Sequence, residues 1–408
     1  MGPINRKLKI LFIHNKYLQS AGGEDATLEA ETKLLRSRGH DIRELIFDNA
    51  VMKKGVIGKL KAGISSVYNI NSAKTLKKAI KEFGPDIIHV HNFFFTASPS
   101  VIIEANRQKT PIVVTLHNFR LVCANSLLLR NNKVCELCVS HDFPWYGVKY
   151  KCYHDSALQS AMVGAMAAVH KWAGTWKNKV DAFIAPADFI RQKLAHSSLH
   201  VAVEKIKIKR HFINDPGAGP PQSRESYYLF IGRLSAEKGV DVLLEAWKDM
   251  NEDKLVIAGD GPEQQKLHQK YGHLKNVEFV GKKTREEVLL LMKACRALIF
   301  PSICYEGLPL TIIEAFSTGA PVIGSDMGAM KEMIRHGENG LLFTPGDPAS
   351  LKKSVMRFNK YLADNDYSPY AHARNSYLQL YHPEIGYDAI IQIYHEVINK
   401  ATGGIQYE

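Results

Sequence analysis

Short, mainly apolar, strand-like runs alternate with amphipathic stretches along almost the whole of this 408-residue chain, and that rhythm restricts its fold more than any other feature. In the first half the runs are "KILFIHN", "IRELIFD", "DIIHVHN", "PIVVTLHN" and "DAFIAPA". In the second they are "YYLFIGR", "KLVIAGDG", "VEFVGK", "ALIFPS", "APVIGSD" and "GLLFTPGD". A strand that is apolar on both faces needs helices on both faces of its sheet, which is the construction of a parallel, doubly wound α/β domain. The intervening stretches supply the helices. "EDATLEAETKLLRSRGH" is one, and its Gly39 marks a helix stop.

A chain of this length exceeds one ordinary core, so two domains are expected. Residues 211–226, "HFINDPGAGPPQSRES", are rich in proline and glycine and lack an apolar period, which is linker composition. The predicted division is a Rossmann-like domain over 1–212, a linker over 213–226 and a second Rossmann-like domain over 227–383. A last helical stretch, about 384–400, is apolar enough on one face to pack on either domain, including back on the first. Residues 119–155 break the alternation and read as an insertion at a strand's C-terminal end, where such folds build binding sites. Two halves facing across a central cleft would receive a nucleotide and its reaction partner there.

Apolar content of 45% and charged content of 23% exclude a disordered or fibrous chain. No apolar window approaches the length of a membrane span, and "MGPINRKLKILFIHNKY" has no secretory pattern, so a cytoplasmic protein is expected. The net charge is +12, and Lys53, Lys54, Lys59, Lys61, Lys74, Lys77, Lys78 and Lys81 stand close together. Such a run is usually a solvated helix face, but it also suits the anionic inner face of a membrane. No stacking aromatics, zinc finger or recognition helix accompany it, so nucleic acid is not expected as a partner.

Against that basic background, residues 297–314 pose a puzzle. "ALIFPS" is a buried strand, "ICYEG" the loop leaving it, and Pro309 suits the first position of a helix. The amides of Gly307, Leu308, Leu310 and Thr311, around Pro309, would form an anion site. Yet Glu306 and Glu314 bracket it. A nucleotide sugar resolves the conflict: amides and cations bind its diphosphate, while carboxylates grip the hydroxyls of the rings at either end. The cations are found in "FIGRLSAEKGVDVLLEAW", where Gly232 and Arg233 end a strand and Lys238 opens the next helix. Taken singly, each of these residues would be an ordinary surface group.

Together, "GRLSAEKG", "AGDGP", "EGLPLTIIE", "GAPVIGSD" and "GENGLLFTPGD" resemble the retaining GT-B glycosyltransferases of family 4, the glycosyl transferases group 1. "AGGED" and "VVTLHN" resemble first-half motifs of the same family. The resemblance implies that Glu314 binds the donor ribose, Glu306 the donor sugar, and that Arg233 and Lys238 stabilise the leaving diphosphate. Gly281 would meet the base through its backbone, Gly22 and Gly23 would approach the phosphates or the acceptor, and His117 would lie over the donor sugar. His89 and His91 also stand at a strand end that could face the ligand. The implied chemistry is same-face substitution, with fixed cations in place of a catalytic metal and a glycan or lipid-linked acceptor in cell-surface polysaccharide synthesis. A nucleotide-sugar epimerase and a zinc-knuckle nucleic-acid binder are the alternatives.

Cys123, Cys135, Cys138 and Cys152 fall in the insertion, with Cys-x2-Cys at the centre. In a cytosolic chain that spacing suggests structural zinc, held by four thiolates or by three with His141 or His154. Cys295 and Cys304 read as small buried residues.

Overall fold

The structure, a computed structural model, describes residues 6–16, 22–49, 63, 65–364 and 368–403. The chain divides into two compact units. One comprises Met1–Leu128, Glu136–Arg210 and Gly386–Glu408; the other comprises Leu129–Cys135 and His211–Ile385.

The first unit is built in the order β1 (Lys9–Lys16), α1 (Gly23–Ser37), β2 (Asp41–Asp48), α2 (Ile70–Phe83), β3 (Ile87–Val90), α3 (Ser100–Arg107) and β4 (Ile112–Thr115). The insertion follows, with the hairpin β5 (Leu129–Arg130) and β6 (Lys133–Val134), then α4 (Trp145–Lys149) and α5 (Ala157–Trp172). β7 (Ala182–Ala185), α6 (Asp188–Ala195) and β8 (Ile206–Ile208) complete it. Its six parallel strands lie in the order β2-β1-β3-β4-β7-β8. β3, β4 and β7 are buried at every position, as two-sided helix cover demands. On α2, Ser72, Ala73, Leu76 and Ala79 face inward, while Lys74, Lys77, Lys78 and Lys81 form an exposed basic face. Lys53, Lys54, Lys59 and Lys61 lie outside the described residues.

The second unit runs β9 (Tyr227–Ile231), α7 (Val240–Trp247), β10 (Lys254–Ala258), α8 (Gln264–Tyr271), β11 (Val277–Gly281), α9 (Arg285–Ala294) and β12 (Ala297–Phe300). α10 (Leu310–Ser317), β13 (Val322–Ser325), α11 (Gly328–Met333), β14 (Gly340–Phe343), α12 (Pro348–Asp364) and α13 (Ser368–Leu380) follow. The parallel strand order β11-β10-β9-β12-β13-β14 is the Rossmann order, with its switch point between β9 and β12.

The proline- and glycine-rich segment, a linker by composition, is fixed onto this second unit. The Gly219 amide donates to Thr318 O, Lys293 Nζ to Pro216 O, and the Arg224 guanidinium to the carbonyls of Met292, Cys295 and Thr318. Composition reports the lack of an apolar period but not these polar ties to backbone far along the chain.

The last helix, α14 (Pro383–Ala401), crosses to the first unit. Ile390, Ile391, Ile393, Tyr394, Val397 and Ile398 join a core with Ile10, Phe12, Ile87, Val113 and Ile184. Each such side chain contributes about 1.5–3 kcal/mol on full burial, which holds a helix that follows the other unit in sequence.

Candidate active site

The second unit gathers its charged groups at its switch point. β9 and β12 are neighbours, so the loops leaving them emerge side by side although they are far apart in sequence. Gly239 ends the short turn after β9 with φ +69°, and a Cβ there would stand 1.9 Å from Pro301 O. Only glycine permits that approach. It brings Lys238 Nζ to 2.7 Å from Glu306 Oε1, and the Ser302 hydroxyl donates to the same oxygen at 2.7 Å. Both charged side chains are partly exposed. Burial works against the Lys238 charge, but Glu306 outweighs it and raises the ammonium pKa.

Sequence reasoning assigned Glu306 to the sugar and Lys238 to the diphosphate; the structure pairs them directly. A ligand entering here meets a polarised pair, and phosphate oxygens can draw Lys238 from the carboxylate. Arg233 is exposed just beyond Gly232. Gly232 and Gly259 cross so closely that a Cβ on Gly259 would lie 1.9 Å from Gly232 O. Gly281 has φ +69° at the end of β11 and donates no side chain, leaving backbone alone at that edge.

α10 starts at Leu310, one residue later than the sequence suggested. Pro309 is its N-cap, with extended backbone, rather than its first helical residue. The first intrahelical bond is Ile312 N to Pro309 O, so the amides of Leu310 and Thr311 remain available to an anion. Gly307 is partly exposed while the Leu308 side chain is buried, so Leu308 can serve a ligand only through its backbone. Glu314, one turn in, is mostly buried; that burial raises its carboxyl pKa, offset in part by Arg285. Among the described residues no side chain donates to its carboxylate, which is what a hydroxyl-binding acid requires.

In the first unit a second polar group forms where β1, β3 and β4 end. Asp25 on α1 takes the Gly22 amide at 2.9 Å and His14 Nε2 at 2.8 Å. The Gly22 N–H is thus already engaged. Gly22 has no positive φ, and a methyl group in place of its hydrogen would have no neighbour within 4 Å, so nothing inside the chain demands glycine there. Glu24 accepts from Asn118 Nδ2 at 2.8 Å and Asn92 Nδ2 at 3.2 Å. Burial pushes its carboxyl up to about 7 despite the Asn118 bond and nearby Arg120. His117, half-buried after β4, places Nε2 3.1 Å from His91 Nδ1.

Glu24 escaped sequence reasoning. The available signal was a repeat: β3 and β4 both end in His-Asn, the histidines meet each other, and the asparagines converge on Glu24. His89, by contrast, faces no ligand. It is fully buried, with Nδ1 bonded to the Tyr394 hydroxyl and Nε2 to Thr115 Oγ1, each at 2.7 Å.

The cysteines do not assemble the expected zinc site. Among the described residues, no three of Cys123, Cys135, Cys138 and Cys152, with or without His141 and His154, bring ligand atoms within reach of one ion. The Cys123 thiol donates to Asn125 Oδ1 at 3.0 Å, and burial raises its pKa. No disulfide forms among the six cysteines. Without a ligand set, the zinc-knuckle reading has no support. Cys295 and Cys304 are buried thiols pushed up to about 12, hence inert. The one three-ligand cluster among the described residues is Glu31, His89 and His91.

Comparison with known proteins adds to this geometry. The family described as Glycosyltransferase Family 4 matches residues 33–213, and the family described as Glycosyl transferases group 1 matches residues 213–371. The phosphatidyl-myo-inositol mannosyltransferase of Mycobacterium leprae is 27% identical over 212 residues, 50% of this chain and 56% of that protein. Further curated glycosyltransferases at 32% identity are matched over 35–40% of their length, so the chain spans well under two thirds of these relatives. Sucrose-phosphate synthase of Thermosynechococcus elongatus superposes with a TM-score of 0.68 over 96% of this chain and 100% of its own, at 17% identity. Anabaena HepE, solved with UDP and glucose, gives 0.62 over 95% and 99%, also at 17% identity. At that identity the likeness shows the shared fold. No helix among the described residues is long and apolar enough to cross a membrane.

Proposed function

Because the chain belongs to the GT-B glycosyltransferases of the family 4 and group 1 type, we propose that it transfers a sugar from a nucleotide-diphosphate sugar to a glycan or lipid-linked acceptor. The observation that carries this reading is the cluster at the β9–β12 switch point: the Lys238–Glu306 pair, exposed Arg233, the open amides of α10 and the mostly buried carboxylate of Glu314. Glu314 accepts hydrogen bonds from the ribose hydroxyls. The α10 amides, Arg233 and Lys238 take the diphosphate, and Glu306 the sugar hydroxyls, with Gly281 beside the base.

Departure of the diphosphate builds negative charge on its oxygens. Lys238, drawn from Glu306, together with Arg233 and the α10 amides, takes up that charge, which favours the transition state over the ground state. The sugar passes through an oxocarbenium-like state with its configuration retained. The acceptor hydroxyl adds on the face the diphosphate leaves, and its proton passes to the departing phosphate. His117 lies over the donor sugar, and Gly22 and Gly23 give room to the acceptor. We place the protein in cell-surface polysaccharide synthesis, with the lysine face of α2 resting on anionic lipid.

Thermal denaturation with a panel of nucleoside diphosphates and their sugars tests this, beginning with UDP and UDP-glucose. A ligand at a hundredfold its Kd adds about 2.7 kcal/mol of stability. Glu314→Ala should abolish that gain, since charge-assisted bonds to two hydroxyls contribute about 1.5–3 kcal/mol each. No stabilisation by any member, or full stabilisation of Glu314→Ala, overturns the assignment.

A further inference from the structure

Helix α5 is apolar on the side that faces solvent as well as on the side that faces the core. Ser156 caps it, its hydroxyl oxygen accepting from the Gln159 amide at 3.3 Å, and no Asp or Glu occurs along Ala157–Trp172. Val163, Met166, Ala167 and Ala168 are buried. Leu158, Met162, Ala165, Val169 and Trp172 recur at intervals of four and three, which places them in one stripe along the opposite side. Leu158 is 61% and Trp172 66% exposed. Val169 is exposed as well, while Met162 and Ala165 are partly covered, Met162 where Gly63 lies against it. The neighbouring α4 adds Trp145, 67% exposed, just after Pro144, whose Cγ would stand 2.7 Å from a Cβ on Gly164 of α5. Trp145 and Trp172 are the two most exposed large apolar side chains among the described residues, whereas Trp176 and Trp247 are fully buried.

A helix that is apolar all round belongs in a core or in contact with lipid, and an exposed apolar stripe marks a contact surface. The charges around this one favour lipid. Between residues 140 and 180, Lys149, Lys151, Lys171, Lys177 and Lys179 outnumber Asp142 and Asp155. On the same side of the sequence, α5 is tied to the start of α2, because His170 Nε2 bonds Val67 O at 2.8 Å. α2 brings exposed Ile70 and the lysines at 74, 77, 78 and 81. A second copy of the chain would carry the same excess of lysines to the same face, against its own. An anionic bilayer supplies phosphate and carboxylate for the lysines, an apolar interior for leucine and valine, and the boundary at which tryptophan rings settle. The 16 residues of α5 measure about 24 Å, short of the roughly 30 Å hydrocarbon core, and its inner face is already occupied. Such a helix can lie on a bilayer but not cross it.

We infer that α5 lies in the headgroup boundary of an anionic bilayer, with Leu158, Val169 and Trp172 inserted toward the acyl chains, Trp145 beside them and the α2 lysines on the headgroups. The inference rests on the lipid contact proposed above and turns it from a purely electrostatic contact into a partly inserted one.

The test mixes full-length protein with vesicles of phosphatidylcholine, alone or with phosphatidylserine, whose acyl chains carry bromine. Bromine quenches only a tryptophan that reaches it, and the buried Trp176 and Trp247 serve as internal standards. The wild type should sediment with the anionic vesicles, with part of its tryptophan emission quenched and shifted to the blue. Trp172→Ser and Leu158→Ser should keep the wild-type urea midpoint, because both positions are exposed. Each should weaken partition by about tenfold, the loss expected on withholding one such side chain from an apolar phase. Sedimentation without quenching overturns the inference and leaves the lysine contact standing; no sedimentation with either vesicle removes both. A dimer in lipid-free solution that both substitutions break also overturns it, since a second copy then covers the face. None of these outcomes touches the nucleotide panel, which needs no lipid.

Discussion

Replacing Lys238 by alanine separates what its charge does for the reaction from what it does for the fold. In the free protein the ammonium pairs with Glu306 at 2.7 Å and lies 5.8 Å from the Phe300 ring centroid. Two unit charges 4 Å apart attract by about 4 kcal/mol at an effective dielectric of 20, but desolvation cancels much of that. For a partly exposed pair the net contribution is about 1 kcal/mol. Deleting Lys238 also leaves Glu306, whose side chain is only 15% exposed, with the Ser302 hydroxyl as its remaining partner. An orphaned, mostly buried acceptor costs about 1–3 kcal/mol, so the expected destabilisation is about 2 kcal/mol. Lys238→Ala/Glu306→Gln removes the orphaned charge and should recover most of it, as read from urea midpoints.

Turnover should respond on a different scale. A fixed donor aimed at developing oxyanion charge contributes about 2.7–4 kcal/mol, a hundred- to thousandfold in kcat. Release of nucleoside diphosphate by folded Lys238→Ala should fall by that factor. Lys238→Arg, which keeps the charge but not its position, should fall between. If folded Lys238→Ala turns over within about threefold of the wild type, a barrier change below ~1 kcal/mol, the cation is not serving the departing diphosphate and the reasoning fails.

Two further outcomes follow from the first unit. The Glu24 carboxyl has a folded-state pKa of about 7 against an ordinary value of 4.5, so between these values the folded chain binds more protons than the unfolded one. Stability relative to Glu24→Gln should therefore fall as pH rises from about 4.5 to about 7, and a flat difference in urea midpoints across that window counts against the assignment. On α2, replacing Lys74, Lys77, Lys78 and Lys81 by alanine should weaken sedimentation with phosphatidylserine vesicles, each lysine contributing about 1 kcal/mol near the surface. Equal sedimentation of the wild type with neutral and anionic vesicles would remove the membrane contact.

Both sheets were legible in the sequence because their central strands are buried on both faces and so read as unbroken apolar runs. The strand-to-helix passage after β9 was legible in outline, but the helix opens at Val240, beyond the Lys238 at which the sequence reading began it. What could not be read was which loops lie side by side. Lys238 and Glu306 are 68 positions apart, and their contact exists only because the chain reverses direction of growth between β9 and β12. The cysteine segment was weakly legible for a related reason: one Cys-x2-Cys carries half of a zinc signature, and among the described residues no three of its ligand atoms come within reach of one ion. Pro309 was displaced by one residue because N-cap and first-turn positions share the same preferred φ.

The groups missed altogether are those whose partners come from two separate strand ends. Glu24 looked like a routine first-turn acid, favourable to the helix dipole wherever it pointed. Glu31 looked like the polar side of an amphipathic helix, yet it is as buried as the core around it. A polar residue at an inward position of an otherwise amphipathic helix is costly unless something waits for it inside. For α1 the waiting groups are Lys209 and His91, delivered by β8 and β3. The parallel sheet is what makes this possible: it turns the C-terminal ends of strands remote in sequence into neighbours. A helix crossing that edge can then carry a carboxylate beneath the surface that a ligand would touch.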